Sequence, residues 1–235
     1  MKGKVLAINT GSTSTKVGYY VDGNTVLVRN LELSAQEVLR FDSVLEQGPL
    51  RREIVMDFLR EAGVGLGDID IIMARGGLFA PAVTGVYRVN ADMREVLLSG
   101  RDGVHACNLS AVIADDIATE VTAFRRERGI GGPACMAYVA DPPMADEMLP
   151  ECHVGGLPDF PRRAFFHALN SLRSFAGISA TTATPPTTSR RSWPIWAAAS
   201  PSPCTGTERS STRTTAWAAT ALSRRNAPAP ARLSP

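Results

Sequence analysis

Apolar and polar positions change period several times along the first 170 residues, and each change predicts an element. Lys4-Val5-Leu6-Ala7-Ile8-Asn9 is a short apolar run, Thr10-Gly11-Ser12-Thr13-Ser14-Thr15 is rich in hydroxyls, and Lys16 to Val21 alternates. That order predicts a buried strand, a tight turn and a hairpin partner. Asp22-Gly23-Asn24 turns the chain into a third strand over 25–30. Ser34-Ala35-Gln36-Glu37 is a capping box that opens a short helix. A second helix starts near Pro49, carries Ile54, Val55, Phe58 and Leu59 at helical spacing, and stops at Gly63.

Ile69 to Ala74 is an apolar run suited to a buried strand, and Arg75-Gly76-Gly77 follows directly. Val86 to Val89 predicts another strand and Ala91 to Leu98 a helix closed by Ser99-Gly100. Asn108 is placed to cap a longer helix through Ser110, Val112, Ile113, Ile117 and Val121, whose basic end, Arg125-Arg126-Glu127-Arg128, complements the helix dipole. Pro133 to Val139 predicts a strand that delivers Asp141, and Asp141-Pro142-Pro143 forces the chain into a loop there.

Charge divides the chain in two. Residues 1–170 carry 17 Lys and Arg against 22 Asp and Glu, whereas residues 171–235 carry 8 Arg against the single Glu208. All three Lys and all three His lie in the first part. The arginines at 125–128 sit in an acidic segment without an aromatic platform, so nucleic acid is not an expected partner. No run is long enough to span a bilayer, and Lys2-Gly3-Lys4 leads into a strand instead of a secretory apolar stretch. Cys107, Cys135, Cys152 and Cys204 form no Cys-x-x-Cys pair, so neither a zinc site nor a disulfide framework is indicated. A cytoplasmic setting without membrane association is the expectation.

The hydroxyl-rich turn is the segment with the clearest chemistry. Gly11 frees the backbone so that N–H groups and Ser or Thr hydroxyls can converge on an anion, with Lys16 as a nearby cation. The same residues also make an ordinary polar hairpin turn, so the segment alone leaves both readings open. It matches neither the P-loop nor the Rossmann glycine pattern, because it joins two strands. Asn9-Thr10-Gly11-Ser12-Thr13-Ser14 resembles the first phosphate loop of the acetate kinase family, within the acetate and sugar kinase/actin superfamily. Arg75-Gly76-Gly77-Leu78, Gly85 to Asn90, Val139 to Pro142, and Gly156-Leu157-Pro158 through Arg162 to Asn170 resemble, in order, the butyrate and branched-chain carboxylate kinases.

The resemblance implies an α/β fold: an actin-like, ribonuclease H-like domain over 1–170 with a mixed five-stranded sheet flanked by helices, the second domain missing or garbled. It implies ATP-dependent phosphorylation of butyrate or a related short-chain carboxylate to an acyl phosphate, reversible to yield ATP, with ATP/ADP and Mg²⁺ as cofactors. The intact protein is expected to be a homo-oligomer. Acetate or propionate kinase is the nearest enzymatic alternative, and a non-catalytic nucleotide-binding member of the superfamily is the alternative of a different class. Asn9, Gly11, Ser12, Ser14 and Lys16 would bind phosphate, and Arg75 would pair with the carboxylate or acyl phosphate. Asp141, with Asn9, would hold Mg²⁺, and His167 would stabilise the moving phosphoryl group. Tyr87, Arg88 and Asn108 would line the acyl pocket. Each has a bland counterpart: a surface ion pair for Arg75, a turn cap for Asp141, a satisfied core imidazole for His167.

From Ser171 the composition shifts to Ala, Pro, Ser, Thr, Arg and Trp, without Asp or Lys. One reading is a disordered low-complexity tail. The genetic code gives a sharper one. When the third base of each codon is joined to the first two of the next, Arg191 to Pro203 permits Ile-Val-Ala-His-Leu-Gly-Gly-Gly-Ile-Ser-Val-Ala. Trp has a single codon, so Ala is forced across Trp193-Pro194 and Gly across Trp196-Ala197 and Trp217-Ala218. The permitted segments resemble the second phosphate loop of the same family. Residues 171–235 are therefore expected to be out-of-frame translation after a single-base frameshift near Asn170-Ser171, and the truncated chain to be inactive.

Overall fold

The architecture is that of a computed structural model, which describes residues 3–169 apart from 80, 81, 147, 149, 158, 160, 166 and 168. The expected out-of-frame tail therefore lies outside the described residues. The chain divides into two units, Met1–Met144 and a second beginning at Ala145.

In the first unit the amino-terminal meander forms as its alternation dictates: β1 (Lys4–Thr10), β2 (Ser14–Val21) and β3 (Asn24–Glu32) pair antiparallel in sequence. Asp22 and Gly23 both have positive φ, 53° and 84°, which gives the β2–β3 turn the twist a tight hairpin needs. The Ser34 capping box is present, but the helix it opens, α1 (Ala35–Val38), is a single turn. A 3₁₀ turn then feeds α2 (Gly48–Glu61), with Pro49 in its first turn and Gly63 at φ 65° beyond its end. β4 (Ile71–Ala74) runs parallel to β1, followed by β5 (Val86–Arg88), α3 (Ala91–Ser99), α4 (Asn108–Glu127) and β6 (Met136–Ala140).

The fold is α/β with a mixed sheet flanked by helices. The sheet has six strands in the order β3-β2-β1-β4-β6-β5, one more than the expected five. The short β5, predicted over 86–89, closes the edge antiparallel to β6. Strand alternation sends Leu6, Ile8, Val17, Ile72, Ala74, Ala137 and Val139 to one buried face. There they meet Val55, Phe58 and Leu59 of α2 and Leu109, Ile113, Ile117 and Val121 of α4, all almost fully buried. Each such side chain removed from water contributes about 1.5–3 kcal/mol. Among the described residues no helix is long and apolar enough to cross a membrane.

One sequence expectation about a helix end is corrected. Cys107, not Asn108, stands at the N-cap of α4, without a side-chain cap. Arg125 and Arg126 stand in the last turn of α4 as expected, and Arg125 is buried there, continuing the apolar stripe of Ile117 and Val121 and turning back to Asp70, 2.8 Å away.

In the second unit a 3₁₀ turn, Pro150–His153, is fixed to the chain ahead by Arg162 N donating to His153 O at 2.9 Å. His153 Nε2 lies 3.4 Å from Asp146 Oδ2.

Candidate active site

Parallel strands β1, β4 and β6 end together, and that common end carries Asn9, Lys16 and Arg75 of the residues singled out by the sequence. Ile8 is level with Ala74, and Ala74 with Val139. Arg75 N donates to Ile8 O at 3.1 Å, so the parallel alignment extends one residue beyond β4. Asn9, Arg75 and Ala140 thus share a row, and the antiparallel pairing Asn9↔Lys16 adds Lys16 to it. These side chains alternate with the buried Ile8, Val17 and Ala74 and so project from the other face of the sheet. Arg75 Nη1 lies 3.5 Å from Asn9 Oδ1. A row carrying Lys16, Asn9 and Arg75 suits an anion.

The turn between β1 and β2 stands at the end of this row. Gly11 N donates to Ser14 O at 2.7 Å, and Leu33 N donates to Thr13 O at 2.9 Å. Gly11 does not have the positive φ expected of it, and a Cβ there would meet only Ser14 O, at 3.5 Å, and Ser14 Oγ, at 3.7 Å. The turn closes without left-handed backbone, so glycine at position 11 leaves space instead of supplying a special dihedral. Ser12 is exposed and Ser14 half-buried.

Arg51 was not singled out by the sequence, yet it is the group that holds this turn. It is fully buried, and its guanidinium donates to Ser12 O (2.9 Å), Ser14 O (3.1 Å), Thr15 Oγ1 (3.1 Å) and twice to Gln47 Oε1 (3.1 and 2.9 Å). Burial lowers its pKa from the ordinary value. The available signal was its place four residues before Val55 and seven before Phe58, on the buried stripe of α2.

Behind the row, the two glycines after Arg75 have packing roles. Gly76 has φ 83°, and a Cβ would lie 2.3 Å from Val139 Cγ1. A Cβ on Gly77 would lie 2.6 Å from Asn108 Cα. Asn108, expected to line an acyl pocket, is fully buried and committed to backbone: it donates to Leu97 O (3.2 Å) and Gly103 O (2.9 Å) and accepts from Leu78 N (2.9 Å). Thr10 Oγ1 donates to Ala106 O at 2.6 Å, tying the start of α4 to the end of β1. Burial pushes the Cys107 thiol up to about 11, with Arg75 pulling weakly the other way.

Asp141 follows β6 at φ 44°, a left-handed conformation that Asp tolerates better than most residues. Its N–H donates to Gly85 O at 2.8 Å and its Oδ1 accepts from Gly85 N at 2.9 Å. Asn9 and Asp141 each carry hard oxygen donors, the kind Mg²⁺ takes when one or two carboxylates are completed by phosphate and water. Among the described residues no three His, Cys, Asp or Glu converge into a metal site of their own.

Tyr87 and Arg88 are not brought together. They alternate on β5, so Tyr87 points with Val139 toward the helices and Arg88 with Tyr138 toward the opposite face. The Tyr87 hydroxyl donates to Val83 O (2.7 Å) and accepts from Val83 N (3.0 Å), and its ring meets Phe79 edge-on at 6.0 Å. His167 belongs to the second unit, where it is half-buried. A depression of about 850 Å³ lies at the other end of the sheet, lined by Lys4, Val5, Tyr20, Asp70, Ile71 and Tyr138 among others. It has none of the residues named by the sequence.

No protein-family model matches the chain. Butyrate kinase 1 of Clostridium acetobutylicum is 36% identical over 167 residues, 71% of this chain and 44% of that protein. A probable butyrate kinase of Phocaeicola vulgatus is 40% identical over 168 residues, 72% of this chain and 44% of that protein. The chain therefore spans less than half the length of the curated relatives it matches. Among solved structures, the acetate kinase of Entamoeba histolytica aligns with a TM-score of 0.48 at 15% identity, covering 77% of this chain and 46% of that one.

Proposed function

We infer that residues 1–170 are the amino-terminal domain of a carboxylate kinase of the butyrate kinase kind, whose complete form transfers the γ-phosphoryl of ATP to butyrate or a related short-chain acid. The observation that carries this reading is the identity of 36% and 40% to butyrate kinases over 167 and 168 residues. A carboxylate oxygen attacks the γ-phosphorus, the bond to the bridging oxygen breaks, and ADP leaves. The reverse reaction yields ATP. The transition state is loose, so alignment and charge neutralisation do most of the work.

In this reading the β1–β2 turn and Lys16 receive phosphate, and Arg75 pairs with the carboxylate and then the acyl phosphate. Asp141 and Asn9 would hold Mg²⁺, which would supply positive charge to offset that of the phosphates. His167 donates to the phosphoryl group in flight. Residues 171–235 are, in the same proposal, out-of-frame translation. The matches to both relatives cover about as many residues as precede the change in composition, which supports it.

The test is to resequence the gene and assay a product whose frame is restored near Asn170. Butyrate-dependent release of ADP is expected from the restored protein and not from the 235-residue chain. Arg75→Ala and His167→Ala should each lower kcat by roughly 10²–10³-fold, the usual loss for one transition-state donor. A restored protein whose ATP turnover ignores butyrate, or a 235-residue chain that is itself active, contradicts the proposal.

A further inference from the structure

We propose that Arg51 is the positioning residue of the β1–β2 turn and the buried counter-charge for the phosphate group of a nucleotide or pyrophosphate seated there, an inference that rests on the phosphate reading above. A guanidinium has five N–H donors, and Arg51 uses all five on Gln47, Ser12, Ser14 and Thr15. None of these partners is a carboxylate, and among the described residues Arg51 forms no salt bridge. A fully buried cation without a counter-ion is expensive in itself, and its field is not cancelled within the protein.

The acceptors explain where that field emerges. In a trans peptide the C=O of one residue and the N–H of the next point in opposite directions. Arg51 draws Ser12 O inward, so the N–H of Thr13 is turned outward. Leu33 N takes Thr13 O. Ser14 O is shared by Arg51 and Gly11 N. Three successive carbonyls are thus withdrawn, and the N–H groups of Ser12 and Thr13 find no acceptor among the described residues. An outward Thr13 N–H beside a Ser12 N–H without an acceptor among the described residues, backed by an unneutralised cation, is the environment an anion of high charge density selects.

The experiment titrates inorganic pyrophosphate into the full 235-residue chain by calorimetry, with thermal unfolding and circular dichroism of each protein alongside. Arg51→Met removes fork and charge, Arg51→Lys keeps the charge without the fork, and Thr15→Val removes one acceptor at nearly constant shape. Arg51→Met should weaken pyrophosphate at least ~10-fold, and Arg51→Lys and Thr15→Val about 3-fold, from the ordinary worth of charge-assisted hydrogen bonds. Folded variants with lowered thermal midpoints but wild-type affinity would make Arg51 a purely structural residue and overturn the inference. If Arg51→Met does not fold, Thr15→Val decides: weakened binding supports the inference and wild-type affinity ends it. Wild-type protein that ignores pyrophosphate would remove the phosphate reading, and this inference with it, without any variant being needed.

Discussion

The domain buries two arginines at opposite ends of one sheet, and they are treated in opposite ways. At the amino end, Arg125 donates to Asp70 Oδ1 at 2.8 Å and to Gly67 O at 3.0 Å, while Asp70 Oδ2 accepts from Lys4 N at 2.8 Å and Lys4 pairs with Asp68. Charge there is cancelled locally, and the result is a clamp between β1, the 3₁₀ turn before β4 and the end of α4. At the carboxyl end, Arg51 meets only carbonyl, amide and hydroxyl oxygens, and the row in front of it carries Lys16 and Arg75. Density of charge does not mark a site. A buried charge whose compensation is missing from its own surroundings does.

The largest effect that would sharpen this contrast comes from Gly77→Ala. The new Cβ would lie 2.5 Å from Leu97 Cδ2 and 2.6 Å from Asn108 Cα, so backbone must move, and about 3 kcal/mol of stability should be lost in urea titrations. A loss under ~0.5 kcal/mol would mean that the carboxyl end is loosely packed and the row unreliable.

Asp70→Asn comes next. Its side chain is 42% exposed, so isolating Arg125 should cost only ~1–2 kcal/mol, less than breaking a fully buried pair. The Lys4 N–H, and then Arg125, hold the Asp70 carboxyl below its ordinary value of 3.8. The carboxylate's contribution is therefore complete above that value and lost as pH falls through the lowered folded value, so variant and wild type should converge in acid. Pyrophosphate affinity should not change, the opposite of the Arg51 variants.

Asp141→Asn should alter stability by no more than ~0.5 kcal/mol, since an amide oxygen can still accept from Gly85 N and Asn tolerates positive φ. What it should abolish is the Mg²⁺-dependent part of nucleotide binding, read by calorimetry with and without the metal. The smallest contrast is in the thiols. Burial raises both Cys107, beside Arg75, and Cys135, beside Arg125 and Asp70, to about 11. Both should resist iodoacetamide at about pH 8 until the protein unfolds, and rising pH beyond the ordinary 9.0 should destabilise the fold, because the folded form keeps these protons longer.

Much of this was legible in the chain because one side of the sheet is buried. The apolar run in 4–9, the alternation in 16–21 and the i, i+4 stripe of α2 pointed to two strands and a helix with a buried side without knowledge of the fold. Arg75 and Asp141 could be placed at strand ends for the same reason. What the pattern could not carry was the meaning of polar residues on apolar stripes. Arg51 precedes Val55 and Phe58, and Arg125 follows Ile117 and Val121, yet charge suggests solvent unless the acceptors, which apart from the Gln47 side chain are distant in sequence or on backbone, are known. The bonds of Asn108 were hidden in the same manner: its partners, Leu78 N, Leu97 O and Gly103 O, are main-chain atoms that no side-chain pattern reveals. Gly76 and Gly77 stand out in the sequence as a pair after Arg75, but that the space they leave is taken by Val139, Leu97 and Asn108 does not.

The most direct measurement is a backbone-amide NMR titration of the 235-residue chain with ATP. The account predicts that the amides of Asn9, Gly11 to Ser14, Arg75 and Asp141 shift together along one binding curve. Shifts confined to Lys4, Asp70 and Ile71 around the 850 Å³ depression, or no saturable shift anywhere, would contradict it.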